Sequence, residues 1–151
     1  MTLRLNGDDI DITHVKNAHT DDDVIVRFRK ANVLFAADLF NNGDYTRIDA
    51  RGGSLDGMIA AYRMLLPILD DKTKVVPGRG QAGTKKDLEE YLQVMIALRD
   101  RIGQHVTEGK TLQEAIAAKR TQDLDVHWGN GPIKPADIVA EVYADLKHTA
   151  R

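Results

Sequence analysis

Residues 75–80, Val-Val-Pro-Gly-Arg-Gly, end an apolar run with a proline and set one arginine between two glycines. A Gly-X-Gly turn of this kind holds one side chain at a fixed place beside a site. Here that side chain is the Arg79 guanidinium, with five N–H donors, no acceptor and a permanent charge. It ligates no metal; what it supplies is positive charge. The five histidines stand at 14, 19, 105, 127 and 148, with no pair spaced by two or four residues, so no local metal motif exists. The run Asp21-Asp22-Asp23 matches a hard-cation site or a solvated acidic turn, and the turn is the more ordinary of the two. His127 beside Trp128 reads as a packing corner, and His14 has no identifiable partner. Ser54, the only serine, is better placed to cap a helix than to act as a nucleophile. The stretches Asn-Asn-Gly-Asp, Arg-Gly-Gly-Ser and Gly-Arg-Gly-Gln-Ala-Gly lack both phosphate-loop patterns and read as turns.

Composition narrows the classes further. The 151 residues are enough for one core, so 1–151 is read as a single domain. A net charge of −2, from 21 basic and 23 acidic residues spread along the chain, gives no basic stripe, so nucleic acid is not an expected partner. The chain has no cysteine, which removes disulfides and thiolate metal sites and fits a cytoplasmic setting. The longest apolar stretch, 58–69, is broken by Arg63 and is far too short to span a bilayer. The opening residues carry no signal-peptide pattern.

These side chains need elements to position them. Alternation and an Asn-Gly turn predict a hairpin in residues 2–15, and strands follow at 24–28 and 32–36. Residues 38–54 read as an irregular, Gly/Asn/Asp-rich loop. Ser54 caps a helix whose apolar stripe runs from Leu55 to Leu69, with Pro67 bending or ending it. A short strand at 73–76 feeds the arginine turn. Capping boxes at Thr84/Asp87 and Thr111/Glu114 open two more helices, and Pro135 opens a fourth. Strands 24–28 and 32–36 are apolar on both faces, which calls for cover on both faces.

The segments "NAHTDDDVIVRF", "ANVLFAADLF", "YTRIDARGGS", "TKVVPGRG" and "DLEEYLQVMIALRDRI" resemble, in order and spacing, the second half of a metallo-β-lactamase-fold hydrolase of the cyclase-like branch. The resemblance implies an α/β fold equal to half of an αββα sandwich. It would be one mixed, mainly antiparallel sheet with helices on one face. In that family the second half supplies a His from His-Thr, an Asp from Gly-Asp-Leu and a His from Pro-Gly-His-Gly. His19 matches the first and Asp38 the second; Arg79 stands at the third. Ala37 replaces the usual glycine before the aspartate. The His-x-His-x-Asp-His motif of the family's first half is absent from this sequence.

The resemblance thus implies a domain with a degenerate metal site, His19 and Asp38 being vestigial and Arg79 replacing the metal's charge through a bidentate contact with Asp38. Two functional expectations follow. The first is a non-catalytic, cofactor-free half-domain that forms a homodimer through its sheet face, where an aspartate at Val26 should give aggregate or unfolded chain. The second is the C-terminal half of a zinc-dependent hydrolase, completed by a separate chain or N-terminal half that carries His-x-His-x-Asp-His.

Overall fold

The structure is a computed structural model and describes residues 1–49 and 51–149. Strands β1 (Thr2–Leu5) and β2 (Asp8–Val15) form the expected hairpin. Its turn residues Asn6 and Gly7 both take positive φ, 52° and 75°, as a two-residue turn matching strand twist requires. β3 (Asp23–Phe28) and β4 (Val33–Asn41) continue antiparallel, and β5 (Lys74–Arg79) joins β4 in parallel, in the order β1-β2-β3-β4-β5. β4 runs through Asn41, so the first residues of the segment read as loop are strand. Their pairing with β5, Ala37 to Pro77 and Asn41 to Arg79, is what extends it. Pro77 is tolerated because β5 is an edge strand.

The crossover from β4 to β5 carries α1 (Leu55–Leu65), capped by Ser54 and ended before Pro67, which sits in a single 3-10 turn at Leu66–Ile68. α2 (Lys85–Thr107) begins at the Thr84/Asp87 box, where the Asp87 carboxylate accepts the Thr84 N–H at 2.6 Å. α3 (Leu112–Ala117) opens on a reciprocal Thr111/Glu114 box. α4 (Gln122–Trp128) is a helix the sequence reading lacked, and α5 (Pro135–Thr149) is the helix expected from Pro135.

The register sorts the sheet into two unlike faces. Val15, Ile25, Leu34, Ala36 and Val75 share the face that is buried under the helices. Against them pack Met58 and Tyr62 of α1, Leu88, Tyr91 and Met95 of α2, and Ile138 and Val142 of α5. The opposite face aligns Leu3, Ile12, Val26, Phe28, Val33 and Phe35 across β1 to β4. Leu3, Val24 and Phe35 on that face are 40–43% exposed. Among the described residues the helices therefore cover one face, and the second is open and largely apolar, with His14 and Lys74 exposed on it. No helix among the described residues is long and apolar enough to cross a membrane.

Candidate functional site

β2 and β4 run the same way, β3 runs against them, and β5 is parallel to β4. The end of β2, the start of β3 and the ends of β4 and β5 therefore meet at one edge of the sheet. His19 lies in the β2–β3 loop, Asp38 near the end of β4 and Arg79 at the end of β5, so strand direction alone brings the three together. They line one cavity of about 320 Å³ with Asn41, Tyr45 and Arg47. Pro132 and Ile133, from the loop between α4 and α5, close it with an apolar wall.

Each position has its own support. His19 is mostly buried, its Nδ1 3.4 Å from the Asp23 carboxylate, which also accepts the Thr20 N–H at 2.8 Å and hydroxyl at 3.2 Å. Asp23 is thus a buried anchor and not part of a solvated turn; only Asp21 and Asp22 are exposed. Asp38 is exposed, and its Oδ1 lies so close to Gly78 that a Cβ there would collide with it and meet the Ala37 carbonyl at 2.9 Å. Only glycine lets β5 approach this carboxylate. Ala37 has φ +48°, a left-handed conformation that costs an L-residue roughly 1–2 kcal/mol. The Arg79 turn is held by β4's end: Asn42 donates its N–H to the Arg79 carbonyl at 2.9 Å and its side-chain amide to the Gln81 carbonyl at 3.0 Å.

The expected contact between Arg79 and Asp38 is not formed. Among the described residues no ion pair joins them within 4.0 Å, and both side chains are exposed. The physical reason is depth: both groups sit at the wet rim of the strand ends, where water solvates each charge and neither needs the other. Asn41, by contrast, is buried, and its Oδ1 has no hydrogen-bond partner.

Behind the cavity, the segments that carry its lining are held by buried hydroxyls and carboxylates. Tyr45 donates to Asp125 at 2.7 Å, Tyr91 accepts the Thr46 N–H at 2.6 Å, and Tyr62 donates to the Leu39 carbonyl at 2.8 Å. Burial holds all three phenols above their ordinary range, Tyr91 at about 12. From α5, Glu141 accepts the Ile48 N–H at 2.9 Å and lies 3.4 Å from Arg47; Asp145 accepts the Leu55 N–H at 2.8 Å. Burial raises the pKa of both acids despite those hydrogen bonds. α5 therefore holds the chain at Arg47 and Ile48 through Glu141, and at Leu55 through Asp145.

The other residues singled out from sequence fall elsewhere. Ser54 accepts the Gly57 N–H at 3.5 Å as a helix cap. His127 packs edge-on against Trp128 at 4.7 Å between centroids. His14 does have a partner, since its Nε2 lies 2.6 Å from the Asp21 carbonyl. His105 is buried in α2 with both ring nitrogens unpaired, and His148 lies by α5's end, away from His19. Sequence reasoning missed Asn41, Tyr45 and Arg47 at the cavity. The only signal was their place in the Gly-rich segment after β4.

A zinc ion needs about four N, S or O ligands. The cavity offers one imidazole, one carboxylate, an amide and a phenol, facing two guanidiniums, Arg47 and Arg79, that repel a cation. Among the described residues no group of three or more His, Cys, Asp or Glu side chains is placed to hold a metal ion. The donor set on this chain does not fit the metal.

Comparison with solved structures gives the fold. The chain resembles a metallo-β-lactamase from Pontibacter korlensis with TM-score 0.53 and 20% identity, over 63% of this chain and 45% of that one. It resembles the B3 metallo-β-lactamase BLEG-1 with TM-score 0.53 and 24% identity, over 62% of this chain and 44% of that one. A double mutant of the sec-alkyl sulfatase PisA1 matches 99% of this chain and 25% of its own, with TM-score 0.70 and 13% identity. No protein-family model matches the chain, and no curated protein matches it. The chain has a partial metallo-β-lactamase fold, one mixed five-stranded sheet with its helices. It spans less than half the length of these matched structures.

Proposed function

We propose that the chain is a non-catalytic, metal-free half-domain related by fold to metallo-β-lactamase-superfamily hydrolases, and that it self-associates through its open sheet face. The observation that carries this reading is that face: Leu3, Val24 and Phe35 are 40–43% exposed beside half-buried Ile12, Val26 and Phe28, with exposed His14 and Lys74 on the same face. Soluble monomers rarely leave an apolar patch larger than a few hundred Å² uncovered. A second copy is the simplest cover, because two-fold pairing presents the same face to itself. The family resemblance supports it too, since the sandwich is made by two sheets packed face to face. The ligand set supports the absence of metal chemistry, and the lack of cysteine supports a cytoplasmic setting.

A second reading has its own observation. The chain covers 44–45% of two matched metallo-β-lactamases, and His19 and Asp38 still meet in one cavity. On that reading a separate chain or an N-terminal half bearing His-x-His-x-Asp-His covers the face and supplies the remaining zinc ligands for hydrolysis.

Metal analysis of the purified chain, with size-exclusion of the wild type and Val26→Asp, separates the two. The first reading expects no stoichiometric zinc and a dimer that the substitution breaks. A monomer that a half-domain bearing His-x-His-x-Asp-His captures, with zinc held by the complex, supports the second.

A further inference from the structure

We propose that the cavity at the strand ends binds a small dipolar organic acid, its carboxylate on Arg79 and its ammonium or hydroxyl group on Asp38. The inference rests on the metal-free reading of this site. Arg79 and Asp38 line the same cavity of about 320 Å³ yet make no ion pair within 4.0 Å, and neither side chain makes a hydrogen bond among the described residues. Two opposite charges are thus held apart and both left free. Their backbones are fixed, Asp38 by the close approach of Gly78 and Arg79 by the Asn42 N–H on its carbonyl at 2.9 Å.

Asn41 is an independent observation. It lines the cavity, is 7% exposed, and its Oδ1 has no partner. Its Nδ2 also makes no hydrogen bond among the described residues. Buried amides are ordinarily paired; the Oδ1 is closed off from the cavity, so a ligand meets Asn41 at its Nδ2. Of the neighbours, Tyr45 donates to Asp125 at 2.7 Å, His19 lies 3.4 Å from Asp23, and Arg47 meets Glu141 through its Nε alone at 3.4 Å. Selection then falls to Arg79, Asp38 and Asn41.

Charge decides the ligand class. A plain anion on Arg79 meets the Asp38 carboxylate, and a plain cation on Asp38 meets the guanidinium. A molecule with an acid at one end and a donor at the other satisfies both, and guanidinium recognises carboxylate through two parallel N–H bonds. The volume is at the low end for ligand sites, roughly 300–1,000 Å³, which suits an amino or hydroxy acid of few carbons resting on Pro132 and Ile133.

The test is an NMR titration of the isotope-labelled chain, following the Arg79 side-chain N–H and the Asn41 amide. The probes are L-alanine, β-alanine and 4-aminobutanoate, with propanoate and propylamine as size-matched controls carrying one charge each. At least one amphoteric acid should give saturable shifts at both signals, with each control about ten-fold weaker or more. Arg79→Gln and Asp38→Asn should each lose that binding while Arg79→Lys keeps part of it; both positions are exposed, and an unchanged backbone spectrum verifies the fold. No saturable shift up to about 50 mM, well past the millimolar range of weak ligands, overturns the inference. So does propanoate binding as tightly as the amphoteric acids, or Asp38→Asn tightening it, since either describes a plain anion site. Zinc titrated into the same sample keeps the readings apart. Stoichiometric zinc overturns the metal-free reading beneath the proposal, whereas neither zinc nor acid binding overturns the proposal alone.

Discussion

Asp38 and Arg79 line one cavity from the ends of adjacent parallel strands, and they do not touch. A buried ion pair broken on one side costs about 3–5 kcal/mol, whereas exposed changes away from special features fall within about ±0.5 kcal/mol. With both side chains exposed and no ion pair between them, Arg79→Ala belongs to the second class. Denaturant unfolding should place the variant within about 0.5 kcal/mol of the wild type. A loss of several kcal/mol would mean that the guanidinium holds the strand ends together.

Ala37 precedes Asp38 with φ +48°, between two register irregularities in the β4–β5 pair. Left-handed backbone costs alanine roughly 1–2 kcal/mol, and glycine gives back part of that gain through chain entropy. Ala37→Gly should therefore stabilise the fold by up to about 1 kcal/mol. Ala37→Val should destabilise it, because a β-branched residue tolerates positive φ least. Thermal unfolding of the pair checks the order Gly, Ala, Val; the reverse order would contradict the backbone geometry.

Much of the frame is legible in the residues. The Asn6-Gly7 turn, the Ser54 cap, Pro67 and the two Thr-based boxes act within a few residues of chain, and each element begins or ends where its signal stands. The end of β4 was hidden because Asp38 and Asn41 are polar. Its strand character comes from β5, more than thirty residues on. α4 was hidden for a similar reason: its stability rests on Trp128 against Tyr91 at 4.7 Å and on Arg101 to Asp123 at 2.9 Å, both contacts to α2. His19, Asp38 and Arg79 were readable through family motifs. Asn41, Arg47 and the buried role of Asp23 come from how the loops pack, which local patterns do not encode.

Glu141 and Asp145 give a pH dependence of known sign. Burial raises both acids, against Arg47 and His19 near Glu141 and His148 near Asp145, with Asp137 and Asp56 adding to the rise. Each folded value lies above the unfolded one, so the stability contributed by the protonated acid is full below the ordinary carboxylate pKa of about 4 and is lost as pH rises through the raised value. Glu141→Gln and Asp145→Asn remove that loss. Measured against wild type, both variants should gain in Tm between acid and neutral pH. The exposed acids with lowered pKa, such as Asp11 and Asp70, act the opposite way but are common to both chains and cancel. A gap that is flat or narrows toward neutral pH would contradict the burial argument.

His105 faces the interior with Nδ1 and Nε2 both unpaired. Leaving a buried polar group unsatisfied costs about 1–3 kcal/mol, and an apolar replacement of similar shape removes that cost. His105→Leu should be neutral or stabilising by about 1 kcal/mol in equilibrium unfolding. Destabilisation beyond that size would show that the imidazole finds partners in the folded protein.

Val26 is only half-buried in the single chain, so an aspartate there stays wet in a monomer and should no longer aggregate or unfold the chain, contrary to the expectation from sequence. It should instead give a folded monomer by circular dichroism. The direct measurement is the mass of the wild-type chain by sedimentation equilibrium or light scattering across micromolar concentrations. Wild type should run as a species of twice the 16.8 kDa chain mass, with Val26→Asp at the single mass. A compact wild-type monomer of 16.8 kDa throughout that range would contradict self-association through the sheet face.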